Sequence, residues 1–306
     1  MIDAVTGRLR SRRFRTMLRI ASGDTDIAAV VAACGAIMPA AAMAMARRGL
    51  RPLMPRFLVE HVGQRRFFAA RGWQNLHWGV FDSFASAQTF AARFGADTRY
   101  RTDHEVGLQQ HLTIKSHDYP ILYWLTRLLP TLGDGRFIDF GGSVGASYYA
   151  YRDRLPLPRG MVWTVCELPE VVALGRLFAE KRAAPALSFT DRVEVLDGAE
   201  LLFTAGCLQF VEQPLAAILG ALDRMPRHVL INRLCLTGGT PYVTLHNTGF
   251  SVSPCRVDSI AAFVASLVNL GYVLEDSWHC LESSLYVPLH PECTLQHFLG
   301  FYFRDA

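Results

Sequence analysis

The feature that most constrains the fold is an alternation of short apolar segments with amphipathic segments, which begins at residue 136. The clearest apolar segments cover residues 137–140, 162–166, 201–204 and 228–232. Helical patterns separate them, and the best marked of these begins at Asp258 or Ser259 and ends at Gly271. Short strands that alternate with helices indicate a parallel sheet covered on both faces. The chain is therefore predicted to be an α/β protein.

Three further strands complete the predicted sheet. One lies between residues 187 and 196, where the pattern allows a strand at 187–189 or at 193–196. The other two lie near residues 272–275 and 297–304. Helices are predicted from Ala146, over 169–181 and over 214–224. The segment 136–306 is thus expected to form one sheet of seven strands.

A tight turn follows the first predicted strand. It reads GGSVG over residues 141–145, and a helix follows it. Glycines let a ligand approach the backbone, and a helix start offers N–H groups that lack partners in the helix. The second strand ends at Glu167, 22 residues after Gly145. A carboxylate there can accept both hydroxyls of a ribose, so the pattern predicts an adenosine-containing cofactor at the carboxyl ends of the strands.

The turn does not fit the dinucleotide fingerprint G-x-G-x-x-G, because Ser143 and Ala146 occupy the positions of its second and third glycines. The pattern (D/E)-x-G-x-G-x-G fits better. Asp139, Gly141 and Gly145 match it, and Ser143 replaces the middle glycine. This resembles motif I of class I S-adenosylmethionine-dependent methyltransferases. The resemblance implies a Rossmann-like fold with an antiparallel ending, and S-adenosylmethionine as methyl donor or as sole substrate.

Five further segments are similar to a bacterial methyltransferase family from natural-product and polysaccharide gene clusters. They are residues 78–84, 137–142, 207–211, 230–233 and 243–247. The resemblance covers about residues 76–304. It leaves the first 75 residues outside the family, and it supports the fold more than the reaction.

The resemblance also implies cofactor-binding residues. Asp139 would hold the turn and, through it, the amino end of the cofactor. The residues of the turn that would contact the cofactor are Gly141, Gly142, Ser143 and Gly145. Glu167 would bind the ribose, and Leu168 would pack on the adenine.

Two parts of this cofactor site follow the third and fourth strands. The acid beside the adenine is Asp191 if the third strand covers 187–189, and Asp197 if it covers 193–196. Gly206 and Cys207 follow the fourth strand and would line the floor. Cys207 has no partner base in the sequence pattern, so a nucleophilic role for it is not expected.

Five side chains are candidates for contact with the reacting groups. His246 and Asn247 lie between the fifth strand and the helix that starts at 258 or 259, and His246 is a candidate base. Tyr148 opens the first helix after the turn. The rings of Trp78 and Phe81 could face the sulfonium, because an aromatic face attracts a cation. The alternative for these rings is a place in the apolar core.

Two reactions fit this set of residues. The first is methyl transfer to a small-molecule acceptor, in which a base such as His246 would assist. The second is an intramolecular cyclisation, as in the azetidine-2-carboxylate-forming cyclases of natural-product pathways. There the α-amine of S-adenosylmethionine attacks its own γ-carbon, and methylthioadenosine leaves. An α-amine titrates near about 8, so this route needs no strong base.

The N-terminal 75 residues are predicted to be a helical extension that acts as a lid. Residues 27–46 carry no charge and are long enough to span a bilayer, but ten of the twenty are alanine and Pro39 interrupts them. We therefore interpret them as Ala-rich helices of a soluble protein. Residues 76–135 are predicted to be a helical cap or linker before the domain at 136–306.

The composition narrows the compartment and the partners. A net charge of +4 over 306 residues does not predict a nucleic-acid partner. The seven cysteines are scattered without a C-x-x-C pair, which argues against a disulfide framework and a structural zinc site. The expectation is a cytoplasmic protein with a small-molecule substrate, no membrane attachment and no metal. The oligomeric state stays open.

Overall fold

The computed structural model describes residues 56–72, 74–101, 103–133 and 135–306. The predicted Ala-rich helices, and most of the predicted lid, lie outside these residues. The chain divides into two compact units, residues 1–63 and 64–306. The boundaries predicted at residues 75 and 135 stay predictions. Phe67 already belongs to the second unit, where its ring lies 6.2 Å from that of Trp78.

The described elements follow one another along the chain as eight helices and eleven strands within those ranges. The helices are α1 (Arg56–Ala69), α2 (Phe84–Ala92), α3 (His104–His111), α4 (Asp118–Leu128), α5 (Ala146–Tyr151), α6 (Pro169–Lys181), α7 (Leu215–Leu219) and α8 (Ile260–Val268). The strands are β1 (Leu76–Phe81), β2 (Phe137–Phe140), β3 (Trp163–Cys166), β4 (Leu187–Thr190), β5 (Leu201–Ala205), β6 (His228–Leu234), β7 (Leu236–Thr237), β8 (Tyr242–Asn247), β9 (Val252–Ser259), β10 (Tyr272–Cys280) and β11 (Phe298–Asp305). The predicted helix at 214–224 is thus shorter than expected.

Seven strands form the main sheet in the order β10-β11-β6-β5-β2-β3-β4. Strands β2 to β6 are parallel to one another, and β11 is antiparallel to both β6 and β10. The chain runs outward from β2 to β4 and then returns to β5 on the other side of β2, which makes a switch point between β2 and β5. This is the predicted Rossmann-like, seven-stranded class I methyltransferase fold.

Both faces of the central strands are buried, which explains why most of their residues are apolar instead of alternating with polar ones. Phe137 of β2 packs into one core, and its neighbour Ile138 packs into the other. In β5, Phe203 and Leu202 divide in the same way. Side chains of a strand point to opposite faces in turn, so a strand covered on both sides needs apolar residues at every position.

A second, four-stranded sheet has the order β1-β8-β9-β7. Strand β8 lies between β1 and β9 and is antiparallel to both. Its core includes Trp78, Phe84 and Leu245. The prediction that residues 76–135 are helical is therefore wrong at 76–81, which form β1. Strand β1 is stabilised by pairing with a segment distant in sequence, and its local pattern is interrupted by Gly79.

Within the described ranges, no helix is both long enough and apolar enough to cross a bilayer.

Candidate functional site

The turn after β2 brings three strand ends together. Gly141 adopts a left-handed φ of +72°, and its N–H donates to the Cys166 carbonyl at the end of β3. A Cβ atom on Gly141 would lie 2.1 Å from the Sγ atom of Cys207, which follows β5. Only glycine fits both the φ value and this spacing. The ends of β2, β3 and β5 thus lie together at the carboxyl edge of the sheet, beside the switch point, and we refer to this place as the crevice.

The other residues of the turn are also sterically fixed. A Cβ atom on Gly142 would lie 2.5 Å from the Asp139 carboxyl, and one on Gly145 would lie 2.5 Å from Leu187. Ser143 has a φ of +56° although it is not a glycine. Such strained backbone is typical of functional sites. The turn is therefore a compact loop that leaves the Ser143 backbone amide available to a neighbouring acid.

That acid is Glu167. Its Oε1 atom accepts a hydrogen bond of 3.0 Å from the Ser143 N–H, and its Oε2 atom accepts one of 2.9 Å from the Leu168 N–H. Burial raises the pKa of Glu167, and the two backbone hydrogen bonds oppose that rise. Each carboxylate oxygen keeps a lone pair for a further donor. Leu168 beside it is 48% exposed, so it offers an uncovered apolar surface next to the acid.

Asp139 lies beneath the turn, out of contact with solvent. Its Oδ2 atom accepts a hydrogen bond of 3.0 Å from the indole Nε1 of Trp163, while Oδ1 has no partner among the described groups. Burial raises the pKa of Asp139 to about 7, and the Trp163 hydrogen bond opposes that rise. This position fits the predicted role of supporting the turn.

We expect the stability of the ligand-free protein to depend on pH through Asp139. Because the pKa is raised on folding, the folded state binds this proton more tightly than the unfolded chain. The contribution is present below about pH 4 and is lost as the pH rises to about 7. Between these two pH values the free energy of unfolding of the wild-type protein should fall by an amount on the order of a few kcal/mol, at about 1.4 kcal/mol per pKa unit. Asp139→Asn should not show this fall. Chemical denaturation at pH 4.5, 6 and 7.5 measures it.

The matched control is Asp191→Asn, which changes an exposed aspartate near the same edge of the sheet. Its unfolding free energy should follow the wild-type pH profile. If the unfolding free energies of Asp139→Asn and wild type depended on pH in the same way, the raised pKa of the Asp139 carboxyl would be contradicted.

The floor of the crevice follows β5. Gly206 has a φ of +72°, and its N–H donates to the Asn232 carbonyl at 2.9 Å. The Cys207 thiol lies against Gly141, and burial raises its pKa. A thiol with a raised pKa is a poor nucleophile, so the structure gives no support to a nucleophilic role for Cys207.

The open choice between two acids is decided by the register of β4. Strand β4 ends at Thr190, so Asp191 stands at the carboxyl edge with the other site residues. Asp197 is at the opposite edge, because its carboxylate accepts from the Arg224 N–H before β6 and its carbonyl accepts from Arg136 before β2. The assignment of Asp197 to the cofactor site is therefore wrong, because it rested on a strand at 193–196 that is a short 3-10 helix.

Three of the aromatic predictions are also corrected. Tyr148 is buried in the main core, with its ring 5.9 Å from Trp163 in an edge-on contact. Trp78 is buried in the core of the second sheet, and the Phe81 ring packs 5.2 Å from Phe90 of α2. All three rings are therefore packing residues, as the alternative for Trp78 and Phe81 anticipated.

His246 and Asn247 lie in β8, in the second sheet. The His246 ring stacks on His77 at 4.8 Å and on Phe210 at 5.3 Å, and burial lowers its pKa to about 4. Asn247 donates to the Phe67 carbonyl and accepts from the Gly249 N–H. Both side chains are held inside the protein, so neither is placed to serve as an acceptor-activating group.

The structure adds residues that the sequence did not single out. His104, the first residue of α3, places Nδ1 2.8 Å from the Ser143 Oγ atom. Burial lowers the pKa of His104, so its imidazole is neutral near pH 7. The Tyr100 ring packs against Phe210 in a tilted contact with 4.7 Å between centroids, and burial together with Cys207 raises the pKa of Tyr100 to about 12. The sequence contains one signal that could have pointed to this helix. His104 and His111 are seven residues apart, so they lie on the same helix face.

A second cavity, of about 500 Å³, lies away from this crevice. Its lining comes mainly from β7, β10 and β11 and includes His279 and His297, whose rings are 4.1 Å apart. None of the turn residues borders it, so we place the candidate site at the crevice, where the glycine turn and Glu167 meet.

Comparison with known proteins gives structural matches only. No protein-family model matches the chain, and no curated protein does. One similar structure is 1,6-didemethyltoxoflavin-N1-methyltransferase from Burkholderia thailandensis, with 19% identity, 69% of this chain and 93% of that chain covered, and a TM-score of 0.37. Another is magnesium protoporphyrin IX methyltransferase from Synechocystis PCC 6803, with 11% identity, 81% and 97% coverage, and a TM-score of 0.41.

A third similar structure is mitomycin 7-O-methyltransferase MmcR, with 18% identity and a TM-score of 0.37. The match covers 60% of this chain and 54% of that one, so the chain spans about half the length of MmcR. The fold assignment itself rests on the strand order and strand directions of the main sheet.

Proposed function

We propose that the chain binds S-adenosylmethionine in the crevice between β2, β3 and β5 and acts as a transferase. The observation that carries this is the position of Glu167, hydrogen-bonded to the Ser143 amide beside the glycine turn. The turn is closely packed, because the Cys207 side chain leaves no room for a side chain at Gly141. An acid at the end of the second strand next to such a turn is suited to the two hydroxyls of a ribose.

The cofactor would be held by residues with separate tasks. Glu167 would accept from the ribose, Leu168 would cover the adenine, and Asp191 stands at the same edge. Gly206 and the turn would leave room for the methionine end. The Asp139–Trp163 hydrogen bond supports the turn from below. Bound S-adenosylmethionine supplies an electrophilic carbon attached to a sulfonium.

For the reaction, we propose methyl transfer to a small-molecule acceptor in secondary metabolism. With His246 buried in the second sheet, the imidazole beside the turn is that of His104. Burial keeps His104 neutral by lowering its pKa, so it can accept a proton from an acceptor hydroxyl. The free thiols of Cys166, Cys207 and four other described cysteines suit a reducing compartment such as the cytoplasm.

Intramolecular cyclisation to azetidine-2-carboxylate is the second candidate. It is favoured by the burial of both predicted acceptor-side residues, His246 and Asn247, within the second sheet. The reaction needs no acceptor and no strong base, since the α-amine is partly neutral near pH 8.

Product analysis separates the two reactions. The purified protein is incubated with S-adenosylmethionine alone and then with a panel of small hydroxylated and amine acceptors, and the products are identified by mass spectrometry. Methyl transfer should yield S-adenosylhomocysteine only when an acceptor is present. Cyclisation should yield methylthioadenosine and azetidine-2-carboxylate without an acceptor.

The controls are buffer without protein, which measures spontaneous breakdown, and the Glu167→Ala variant. Methylthioadenosine at the rate of the buffer control would exclude cyclisation. Absence of S-adenosylmethionine and S-adenosylhomocysteine binding by calorimetry would exclude the proposed function as a whole.

A further inference from the structure

Arg233 lies at the end of β6 with an unusual backbone and an incompletely paired side chain. Its φ is +57°, in the region that favours glycine, and the side chain is half-buried. The Nη1 atom donates to the Nε2 atom of His111 at 2.8 Å, and Nη2 donates to the Ala205 carbonyl at 3.1 Å. The Nε atom is buried and has no partner among the described groups. One donor of a buried cation is therefore left for something else.

The two groups that orient this guanidinium are neutral. His111 donates from Nδ1 to the Gly107 carbonyl at 2.7 Å, which assigns the proton to Nδ1 and leaves the Nε2 lone pair facing Arg233. Burial and the Arg233 charge lower the pKa of His111 to about 4, so it stays neutral. No carboxylate oxygen in the described part of the chain lies within 4 Å of the Arg233 guanidinium. The guanidinium is thus held in place by two neutral acceptors, without a carboxylate in direct contact.

The guanidinium borders the crevice. A Cβ atom on Gly206 would lie 3.5 Å from the Arg233 Cζ atom, so the cation faces the floor where a glycine leaves space. Tyr100 lies within reach of the same charge: burial raises the pKa of Tyr100, and Arg233 opposes that rise. A buried or half-buried charge normally finds a partner of opposite sign. Here the place for that partner is inside the crevice.

We propose that Arg233 binds a carboxylate of the ligand in the crevice, and that His111 is a positioning residue that holds the guanidinium for it. This inference rests on the proposed function and names the chemistry of the ligand. Arg is suited to the task because its donors form a planar fork that matches a carboxylate. Two molecules could supply the carboxylate: the amino-acid end of S-adenosylmethionine, or a separate acceptor.

The first arm of the test compares two nucleosides. S-adenosylhomocysteine carries the amino-acid carboxylate, whereas methylthioadenosine lacks it. If the cofactor supplies the carboxylate, Arg233→Met should weaken the binding of S-adenosylhomocysteine about 100-fold. This is the loss in affinity typical of removing a charge-assisted hydrogen-bonded pair. Methylthioadenosine affinity should not change, and Arg233→Lys should lose less because it keeps the charge. Isothermal titration calorimetry measures each dissociation constant.

The second arm uses protein saturated with S-adenosylhomocysteine and compares benzoate with benzamide. Aromatic probes are chosen because the Tyr100 ring, which packs against Phe210 in a tilted contact, is 36% exposed at this side of the crevice. If a separate molecule supplies the carboxylate, wild-type protein should bind benzoate in preference to benzamide. Arg233→Met should lose that preference without changing the affinity for S-adenosylhomocysteine.

Two further variants test the positioning role of His111. His111→Glu supplies Arg233 with a carboxylate from the protein, and it should reduce binding of the carboxylate ligand by a factor similar to that of Arg233→Met. His111→Gln, which stays neutral and can still accept, should retain most of the binding. Neither variant should change the affinity for methylthioadenosine. If the role of His111 were purely structural, the variants would instead weaken the binding of both nucleosides by similar factors.

The matched control is Arg176→Met, which removes an arginine that donates to the Phe189 carbonyl of the same sheet. It should leave all four ligands unaffected. The inference is overturned if Arg233→Met distinguishes neither pair of ligands from wild type, or if it weakens both nucleosides equally while lowering the melting temperature. Wild-type protein that binds neither nucleoside would instead overturn the proposed function, and the inference with it.

Discussion

Gly141→Val is expected to abolish binding of S-adenosylhomocysteine and to destabilise the protein. At φ +72° a side chain costs about 1–2 kcal/mol in left-handed strain. The new Cβ would also overlap the Cys207 Sγ atom, which lies 2.1 Å from that position. Overpacking typically adds about 1–3 kcal/mol, so we expect the free energy of unfolding to fall by roughly 2–5 kcal/mol. Denaturant titration and calorimetry measure the two effects.

Gly160→Ala is the matched control, because Gly160 also has a positive φ of +80° but nothing lies within 4 Å of its Cβ position. It should show the backbone strain alone, about 1–2 kcal/mol, and bind S-adenosylhomocysteine normally. If Gly141→Val is too unstable to study, Gly141→Ala gives the same contrast with a smaller side chain. A folded Gly141→Ala protein with wild-type affinity would show that the turn is structural only.

Glu167→Ala is expected to weaken S-adenosylhomocysteine binding at least 100-fold. The carboxylate would lose its hydrogen bonds with the ribose, each worth about 1.5–3 kcal/mol for a charged acceptor. The variant also leaves the N–H groups of Ser143 and Leu168 without their acceptor, so the turn would be less well held. Calorimetry on the purified variant gives the dissociation constant, and Glu167→Gln should show an intermediate loss.

The control for local charge is Glu170→Ala, three residues further on. Glu170 is exposed in the first turn of α6 and should not alter nucleoside affinity. Equal affinities of the Glu167→Ala and wild-type proteins would remove Glu167 from the binding site. They would leave the crevice without its main polar group and the proposed function without its supporting observation.

The sequence by itself determined the main sheet and its glycine turn. Most residues of β2, β3, β5 and β6 are apolar because both faces of these strands are buried, and this pattern is local enough to predict. The turn is likewise local, since Gly141 and Gly145 need left-handed backbone. The end of the second strand then fixed Glu167 at the carboxyl edge, because parallel strands share that edge.

The tertiary structure decided what depended on non-local pairing or on exact register. The choice between Asp191 and Asp197 required the end of β4, and a shift of a few residues carries an acid to the other edge of the sheet. Strand β1 exists because β8 pairs with it, for example at His77 and His246, which are 169 positions apart in the chain. Helical and strand patterns cannot be separated locally in such a short segment.

The same reason explains the misplaced catalytic candidates. Trp78, Phe81 and His246 were candidates because aromatic rings can bind a sulfonium and an imidazole can act as a base. Because β1 pairs with β8, these side chains lie in the second sheet. There Trp78 and Phe81 pack in the core, and His246 stacks on His77. Arg233 and His111, 122 positions apart, meet only when α3 lies over the end of β6. Residue type and local period are properties of the sequence, whereas the meeting of distant side chains is a property of the folded chain alone.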